Sequence, residues 1–147
     1  MQLKDNAIWL IFDAWAKQPP PYSSKYVNTV NDYFCHKINE YMKSVKHKFV
    51  VLNQNDIERN GIHNAFKDYL VIGHEQVKEV VKGFTSIVYT GFHHGRCTVD
   101  RRLSGAEDMY HDTNNYNIYF KKDLLCLLPG DSWLEMDKKS EQYGELI

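Results

Sequence analysis

The sequence lacks the features that identify exported, membrane-spanning and nucleic-acid-binding proteins. Cysteine is scarce, with three in 147 residues and no CxxC pair, so neither a disulfide framework nor a thiolate zinc site is predicted. Lys and Arg number 18 against 19 Asp and Glu, which leaves no basic excess for binding phosphates. The apolar run from Ala7 to Phe12 is closed by Asp13 and is too short for a membrane span or a signal sequence. We therefore expect a cytoplasmic protein without a membrane or nucleic-acid partner.

The composition is that of a globular protein. Of the 147 residues, 43% are hydrophobic and 14% are aromatic, which is enough to build a core in one domain. No internal repeat or low-complexity segment divides the chain. We predict a single domain over residues 1–147, with a C-terminal extension over about 128–147 that is partly helical or irregular.

Segments of strand length alternate with segments of helical periodicity along the chain. The predicted strands are Ala7–Phe12, Lys48–Leu52, Asp68–Gly73, Ser86–Gly91 and Tyr116–Lys122. Apolar residues spaced by three and four predict helices over 25–46, over 74–83 and after Cys97. Ser23 or Ser24 is the expected N-cap of the first helix. This alternation predicts an α/β fold of three α-β-α layers around a mostly parallel sheet of about five strands.

Two reactive side chains directly follow predicted strands. Asp13 follows the first strand, and Cys97 follows the fourth strand after a short loop and is expected to open a helix. The N–H groups at a helix N-terminus favour thiolate and can also receive an oxyanion. Asp13 at the neighbouring strand end could take the thiol proton. The pair fits covalent hydrolysis, and the alternative is a free cysteine buried as inert packing.

The stretches around these residues resemble a known family. "AIWLIFDAWAKQP" is similar to the start of the isochorismatase-like cysteine hydrolases, the superfamily that includes nicotinamidases and carbamoylsarcosine amidases. "SIVYTGFHHGRCTVDRRLSGAEDM", followed by "NYNIYFKKD", resembles the second half of that motif set. The resemblance implies Asp13 as the base and Cys97 as the nucleophile, with the N–H of Cys97 and of the preceding turn as the oxyanion hole. It implies cleavage of an amide-like C–N bond of a small molecule through a Cys97 thioester.

The resemblance also implies a catalytic lysine near the third strand, for which Lys67 is the candidate. The middle segment, about 53–67, is shorter than in the family. The alternative is therefore a catalytically degenerate member that binds a small molecule or a protein, and an unrelated flavodoxin-like binding domain is a third possibility. Relatives of this kind assemble into dimers or tetramers, so the resemblance further implies a homo-oligomer.

Aromatic and histidine side chains beside the two strand ends are candidates for binding substrate. They are Trp15, Phe92, His93 and His94. Gly95 is a further candidate, because a glycine lets the backbone approach a ligand closely. The alternatives are core aromatics and solvated loop histidines. None of the remaining histidines shows the Asp-x-His element of the metal-containing nicotinamidases, so we predict no metal and no cofactor.

Overall fold

The computed structural model of the chain describes residues 6–16, 24–52 and 61–147. Within these ranges six parallel strands form one sheet in the order β3-β2-β1-β4-β5-β6. The strands are β1 (Ala7–Phe12), β2 (Lys48–Leu52), β3 (Val71–Ile72), β4 (Ser86–Phe92), β5 (Asn117–Cys126) and β6 (Glu145–Leu146). The predicted α/β fold with a mostly parallel sheet is confirmed, and the C-terminal segment adds a sixth strand.

The two central strands are covered on both faces, as their continuous apolar sequences predict. β4 is buried along its whole length, and β1 is buried from its second residue onward. Successive side chains of β1 point to opposite faces. Ile8 and Leu10 join one hydrophobic cluster, and Trp9 and Ile11 join the other. The core therefore consists of two layers, one on each face of the sheet.

Helices cover the sheet. They are α1 (Lys25–Ser44), α2 (Val77–Val80), α3 (Ala106–Tyr110) and α4 (Trp133–Glu141). α1 begins where the sequence predicts, because the Ser24 hydroxyl accepts a hydrogen bond from the Val27 N–H at 3.1 Å and caps the first turn. Its buried residues Ile38 and Met42 pack in the cluster that contains Trp9. None of the helices in the described part of the chain is long and apolar enough to cross a membrane.

The helix expected directly after Cys97 does not form. Cys97 lies in a series of turns that ends in a 3-10 turn, Arg101–Leu103, before α3 begins. Ser104 has a φ of +59°, a left-handed conformation that no residue inside an α-helix adopts. The apolar spacing at residues 99, 103, 106 and 110 is therefore split between two short elements, and the prediction that Cys97 opens a helix is wrong.

The other differences lie in the middle and at the C-terminus. The predicted helix over 74–83 is a 3-10 turn, His74–Gln76, followed by α2. The extension over 128–147, predicted to be partly helical or irregular, contains the helix α4 and also the strand β6, which the sequence does not predict. In the segment predicted to be short, about 53–67, residues 53–60 lie outside the described residues.

Candidate active site

The crevice at the carboxyl ends of β1 and β4 is where this topology places a site. β1, β2 and β3 extend to one side of this pair, and β4, β5 and β6 extend to the other. The direction of strand succession therefore reverses between β1 and β4, and ligands of open α/β sheets bind at such a reversal. Phe12 pairs with Gly91 at the end of the two strands. The residues that follow them, Asp13 and the turn 93–97, consequently lie side by side.

The backbone is specialised at this edge. Asp13 has a φ of +55°, which aspartate tolerates better than most residues with a Cβ. Gly91 has a φ of +93°, and a Cβ there would lie 2.4 Å from the Phe12 carbonyl oxygen. Only glycine fits this position without displacing the backbone of β1.

Three reactive side chains meet in the crevice. A carboxylate oxygen of Asp13, a ring nitrogen of His93 and the Cys97 Sγ all lie within 4.8 Å of one another. Asp13 is completely buried, and its carboxylate oxygens have no hydrogen-bond partner among the described residues other than the Cys97 thiol. The two residues predicted as base and nucleophile are thus brought together, and His93 joins them.

Burial sets the protonation states of these three groups. It raises the pKa of the Asp13 carboxyl from its ordinary value of 3.8 to about 7, although contact with the Cys97 thiol works in the opposite direction. Burial, followed by the Asp13 charge, also raises the pKa of the Cys97 thiol. It lowers the pKa of His93 to about 4. Near neutral pH the site therefore holds an uncharged thiol and an uncharged imidazole beside a carboxyl group that titrates.

This arrangement corrects the expectation of a resting thiolate. No helix begins at Cys97, so the dipole that was expected to stabilise its anion is missing. A buried carboxylate that faces the thiol disfavours a second negative charge. Cys97 can therefore become nucleophilic when Asp13 takes its proton, rather than by ionising beforehand.

Hydrogen-bond donors for an oxyanion are fewer than predicted. The N–H of Cys97 donates to no acceptor within the ranges that the structure describes. Three N–H groups of the preceding turn already donate hydrogen bonds. The N–H of His94 donates to the Cys126 carbonyl at 2.9 Å. The N–H of Gly95 donates to Thr98 Oγ1 at 3.2 Å, and that of Arg96 donates to the His93 carbonyl at 3.0 Å. The Cys97 N–H is thus left for a ligand, while the backbone N–H of His93 is directed at the Cys97 sulfur.

The predicted lysine does not join this group. Lys67 is exposed at the end of a 3-10 turn, Asn64–Phe66. Burial and the Cys97 thiol set the pKa of Asp13, with no contribution from an ammonium group of the described residues. A third catalytic role for Lys67 has no support from its position, whereas His93 occupies the crevice itself.

The two predicted pocket aromatics are both buried. The carbonyl of Trp15 accepts a hydrogen bond from the Asn31 side chain at 3.0 Å. Phe92 belongs to a core cluster and packs against Phe34, with ring centroids 5.8 Å apart. Phe92 also lines an apolar cavity of about 370 Å³ together with His93. Substrate binding by either aromatic stays a prediction.

The C-terminal segment fastens the turn that carries Cys97. The Nε2 of His94 lies 2.8 Å from an Asp137 carboxylate oxygen, and the guanidinium of Arg96 binds Asp131 through two hydrogen bonds of 2.9 and 2.8 Å. Gly95 packs so closely on α4 that a Cβ there would lie 2.6 Å from Met136 Sδ.

The sequence does not predict these contacts, although it contains a signal for α4. Ser132 caps it by accepting a hydrogen bond from the Glu135 N–H at 3.2 Å. Glu135 in the first turn and Lys138 and Lys139 in the last turn match the helix dipole.

Replacing Asp137 with Asn should loosen this turn. Asp137 accepts hydrogen bonds from the buried His94 and from Lys122, whose Nζ lies 2.7 Å away. Burial raises the pKa of Asp137, but these two partners outweigh it and hold the pKa below its ordinary value. We expect Asp137→Asn to lower the free energy of unfolding by about 1–3 kcal/mol, measured by urea denaturation. Faster hydrogen exchange should be confined to the amides of 94–100. Unchanged exchange there would show that the turn is held by other contacts.

Two groups among the described residues have the composition of a metal site. One is the Asp13, His93 and Cys97 crevice, and the other is Asp32, His36 and His63 on the flank of α1. In the second group, the Nδ1 of His63 accepts a hydrogen bond from the Ala65 N–H at 3.0 Å. The ring proton of His63 therefore resides on Nε2, which donates a hydrogen bond to an Asp32 carboxylate oxygen at 2.8 Å. That nitrogen has no lone pair for a metal, so the second group is better explained as a hydrogen-bonded network.

Comparison with known proteins places the fold. The sequence matches no family model and no curated protein. Solved structures do match over nearly the whole chain. A MAR1 ribonuclease from Caenorhabditis elegans has a TM-score of 0.66 at 13% identity, with 97% of this chain and 76% of that chain covered.

Two other matches are hydrolases of comparable size. A pyrazinamidase of Pyrococcus horikoshii in complex with zinc has a TM-score of 0.63 at 16% identity, over 97% of this chain and 98% of that one. An N-carbamoylsarcosine amidase from Thermoplasma acidophilum has a TM-score of 0.61 at 13% identity, over 96% and 95%. Structures described as isochorismatase-like hydrolases also match. The resemblance that the sequence predicts is thus confirmed in three dimensions, and this chain has the fold of the isochorismatase-like hydrolases.

Proposed function

We propose that the protein is a cysteine hydrolase that cleaves an amide-like C–N bond of a small molecule through a thioester on Cys97. The observation that carries the proposal is the crevice itself. A fully buried carboxylate has the Cys97 thiol as its one hydrogen-bond partner among the described residues, and a neutral imidazole lies within 4.8 Å of both groups. Burying such a carboxylate destabilises the fold, and groups with strongly shifted pKa values mark catalytic sites.

The first half-reaction acylates the cysteine. Asp13 takes the thiol proton as Sγ adds to the carbonyl carbon of the substrate, and the carbonyl oxygen becomes an oxyanion. The N–H of Cys97 is available to donate a hydrogen bond to that oxygen. When the C–N bond breaks, the protonated Asp13 gives its proton to the leaving nitrogen, and the amine departs. The acyl group remains on Cys97 as a thioester.

The second half-reaction regenerates the thiol. Asp13 takes a proton from a water molecule, whose oxygen adds to the thioester carbon. The C–S bond then breaks, the acid departs, and Sγ regains the proton. His93 is neutral at the pH where Asp13 is ionised, so it can hydrogen-bond the water without competing for the proton. In this proposal His93 takes the place next to Asp13 and Cys97 where the resemblance implied a lysine.

Acylation by p-nitrophenyl acetate tests this function. The wild-type protein should release a burst of p-nitrophenolate equal to the protein concentration, gain an acetyl group on Cys97 by peptide mass spectrometry, and then turn over. Cys97→Ser should show neither the burst nor the acetylated peptide. Cys126→Ser is the matched control, because Cys126 is also half-buried but is not one of the three side chains that meet in the crevice; it should behave as wild type.

The second candidate is a binding module that keeps the fold without turnover. The raised pKa of Cys97 and the exposed position of Lys67 favour it. It predicts that Cys97 is not acetylated faster than Cys126. That result would overturn the hydrolase proposal. Acetylation of Cys97 without later turnover would restrict the proposal to the first half-reaction.

A further inference from the structure

A groove of about 590 Å³ opens beside the nucleophile and is bordered by charged side chains. Cys97 lies on its wall, between the 3-10 turn Arg101–Leu103 and α4. Four cationic side chains line it, Arg96, Arg101, Arg102 and Lys139, against the two carboxylates Asp100 and Glu107. Counting also Asp131, which lies beside the lining and pairs with Arg96, four cations face three carboxylates, an excess of one positive charge, although the whole chain has a net charge of −1.

Two of the four cations are already paired. Arg96 binds Asp131 at 2.8 Å, and Arg102 binds Asp100 at 3.1 Å. Arg101 and Lys139 form no ion pair within 4.0 Å in the part of the chain that the structure describes. Both are exposed to solvent, and they reach the groove from different elements, the 3-10 turn and α4. An anion in the groove would thus meet two cations without a direct carboxylate partner, opposed by the remaining carboxylate of the lining, Glu107.

We propose that this groove binds an anionic oxygen group, a carboxylate or a phosphate, on the small molecule that Cys97 attacks. The inference rests on the proposed function, because it places the anionic end of the substrate against Arg101 and Lys139 while its carbonyl carbon lies at Sγ. Arginine and lysine are suited to such groups, since their N–H donors match carboxylate and phosphate oxygens. The local positive potential would also raise the concentration of an anionic substrate beside the thiol.

A small anion fits this groove better than a nucleic acid does. Binding a phosphate backbone requires several cations along an extended face. Here two unpaired cations lie in one groove, and the rest of the chain has slightly more acidic than basic residues.

Alkylation of Cys97 by two reagents of different charge measures the groove directly. Iodoacetate carries a carboxylate and iodoacetamide is neutral. In both reactions Sγ attacks the methylene carbon, iodide leaves, and the thiol proton is lost. We expect the ratio of the iodoacetate rate to the iodoacetamide rate to be higher at Cys97 than at Cys126 in the same protein. Because both reagents meet the same thiol, its pKa cancels from the ratio.

Charge variants test whether Arg101 and Lys139 cause the higher ratio of iodoacetate to iodoacetamide rates at Cys97. Arg101→Gln combined with Lys139→Gln should lower the ratio at Cys97 about five- to tenfold, as expected for two nearby charges, and added salt should lower it in wild type. Lys43→Gln combined with Lys138→Gln changes the net charge equally at exposed positions that do not line the groove. That control should keep the wild-type ratio. Equal ratios in all three proteins would overturn the groove proposal.

Competition distinguishes the two anionic groups. Slower iodoacetate labelling in the presence of acetate indicates a carboxylate site, and slower labelling with inorganic phosphate indicates a phosphate site. Protection by a short oligoribonucleotide, with none by acetate or phosphate, would overturn the proposal in favour of nucleic acid. Failure of the proposed function is recognised separately, because p-nitrophenyl acetate would then acetylate Cys97 no faster than Cys126, whatever the ratio of the two alkylation rates.

Discussion

Asp13→Asn should make the protein more stable at pH 8 and remove most of its reactivity. The Asp13 carboxyl has its pKa raised to about 7 by burial, so ionising it in the folded protein is unfavourable. A shift from 3.8 to about 7 corresponds to about 4 kcal/mol of lost stability above neutral pH. Asparagine has nearly the same shape, also adopts a positive φ readily, and carries no charge.

The stability difference between Asp13→Asn and wild type should depend on pH. Below pH 4 the carboxyl group is protonated in both the folded and the unfolded chain, and it has no effect on stability. As the pH rises from about 4 to about 7, the carboxyl group ionises in the unfolded chain but not in the folded one, so Asp13 increasingly destabilises the folded protein. Asp13→Asn should therefore match wild type near pH 4 and exceed it increasingly up to pH 7, with a constant difference above. Urea denaturation across this range measures it.

His93 has the opposite dependence and must be separated from Asp13. Its pKa is lowered by burial to about 4, so the folded protein loses stability as the pH falls from about 6.5 towards 4. Comparing the variant with wild type at each pH removes this contribution, because His93 is present in both. If Asp13→Asn is less stable than wild type at pH 8, the ionised Asp13 carboxylate does not destabilise the folded protein.

Activity should change in the opposite direction. Loss of a general base lowers the rate about a hundredfold or more, and the wild-type rise of p-nitrophenyl acetate acylation through about pH 7 should disappear in Asp13→Asn. Without the neighbouring carboxylate the thiol ionises more easily at alkaline pH, so the variant should show a single alkaline limb. Retention of the step near pH 7 would exclude Asp13 as the base.

Gly91→Ala should strongly destabilise the folded protein, because Gly91 of β4 lies directly against the backbone of β1. Its Cβ would lie 2.4 Å from the carbonyl oxygen and 2.7 Å from the nitrogen of Phe12, which are backbone atoms in the centre of the sheet. The φ of +93° adds backbone strain. We expect a loss of about 3 kcal/mol or more in the free energy of unfolding, from the strain together with the forced separation of β1 and β4.

Gly83→Ala is the matched control for this substitution. Gly83 has a φ of +87°, but a Cβ there would have no atom within 4 Å. It should lose only about 1 kcal/mol, from the backbone strain alone. The difference between the two variants measures the close approach of the strands. Similar losses in both would show that β1 and β4 can move apart at little cost.

The sequence predicted the parts of the fold that depend on local pattern. Continuous apolar runs identified β1 and β2 at their observed limits, and the apolar stripe with Ser24 identified α1. The segment after Cys97 was wrongly predicted as a helix, because apolar spacing alone cannot reveal the left-handed Ser104 that interrupts it. α4 was only partly recognised, since its buried face consists of Met136 and Ser140.

The sequence predicts two of the three side chains that meet in the crevice, Asp13 and Cys97, as a reactive pair, and His93 only as a candidate for binding substrate. Asp13 and Cys97 follow strands, so parallel topology alone brings them to one edge. The approach of His93 depends on the pairing of Phe12 with Gly91 and on the shape of the turn, which no local pattern encodes. The contacts of His94, Arg96 and the C-terminal segment join residues more than thirty positions apart, so they could be found only in three dimensions.

The contacts of the C-terminal segment have a consequence for the order in which the protein matures on the ribosome. β1, β4 and the turn with Cys97 are synthesised before Asp131, Met136 and Asp137, which hold that turn in the folded domain. A nascent chain can therefore pair its central strands while the cysteine turn is still unfastened. The turn that holds Cys97 is fastened only when the last helix docks, after synthesis has passed that helix.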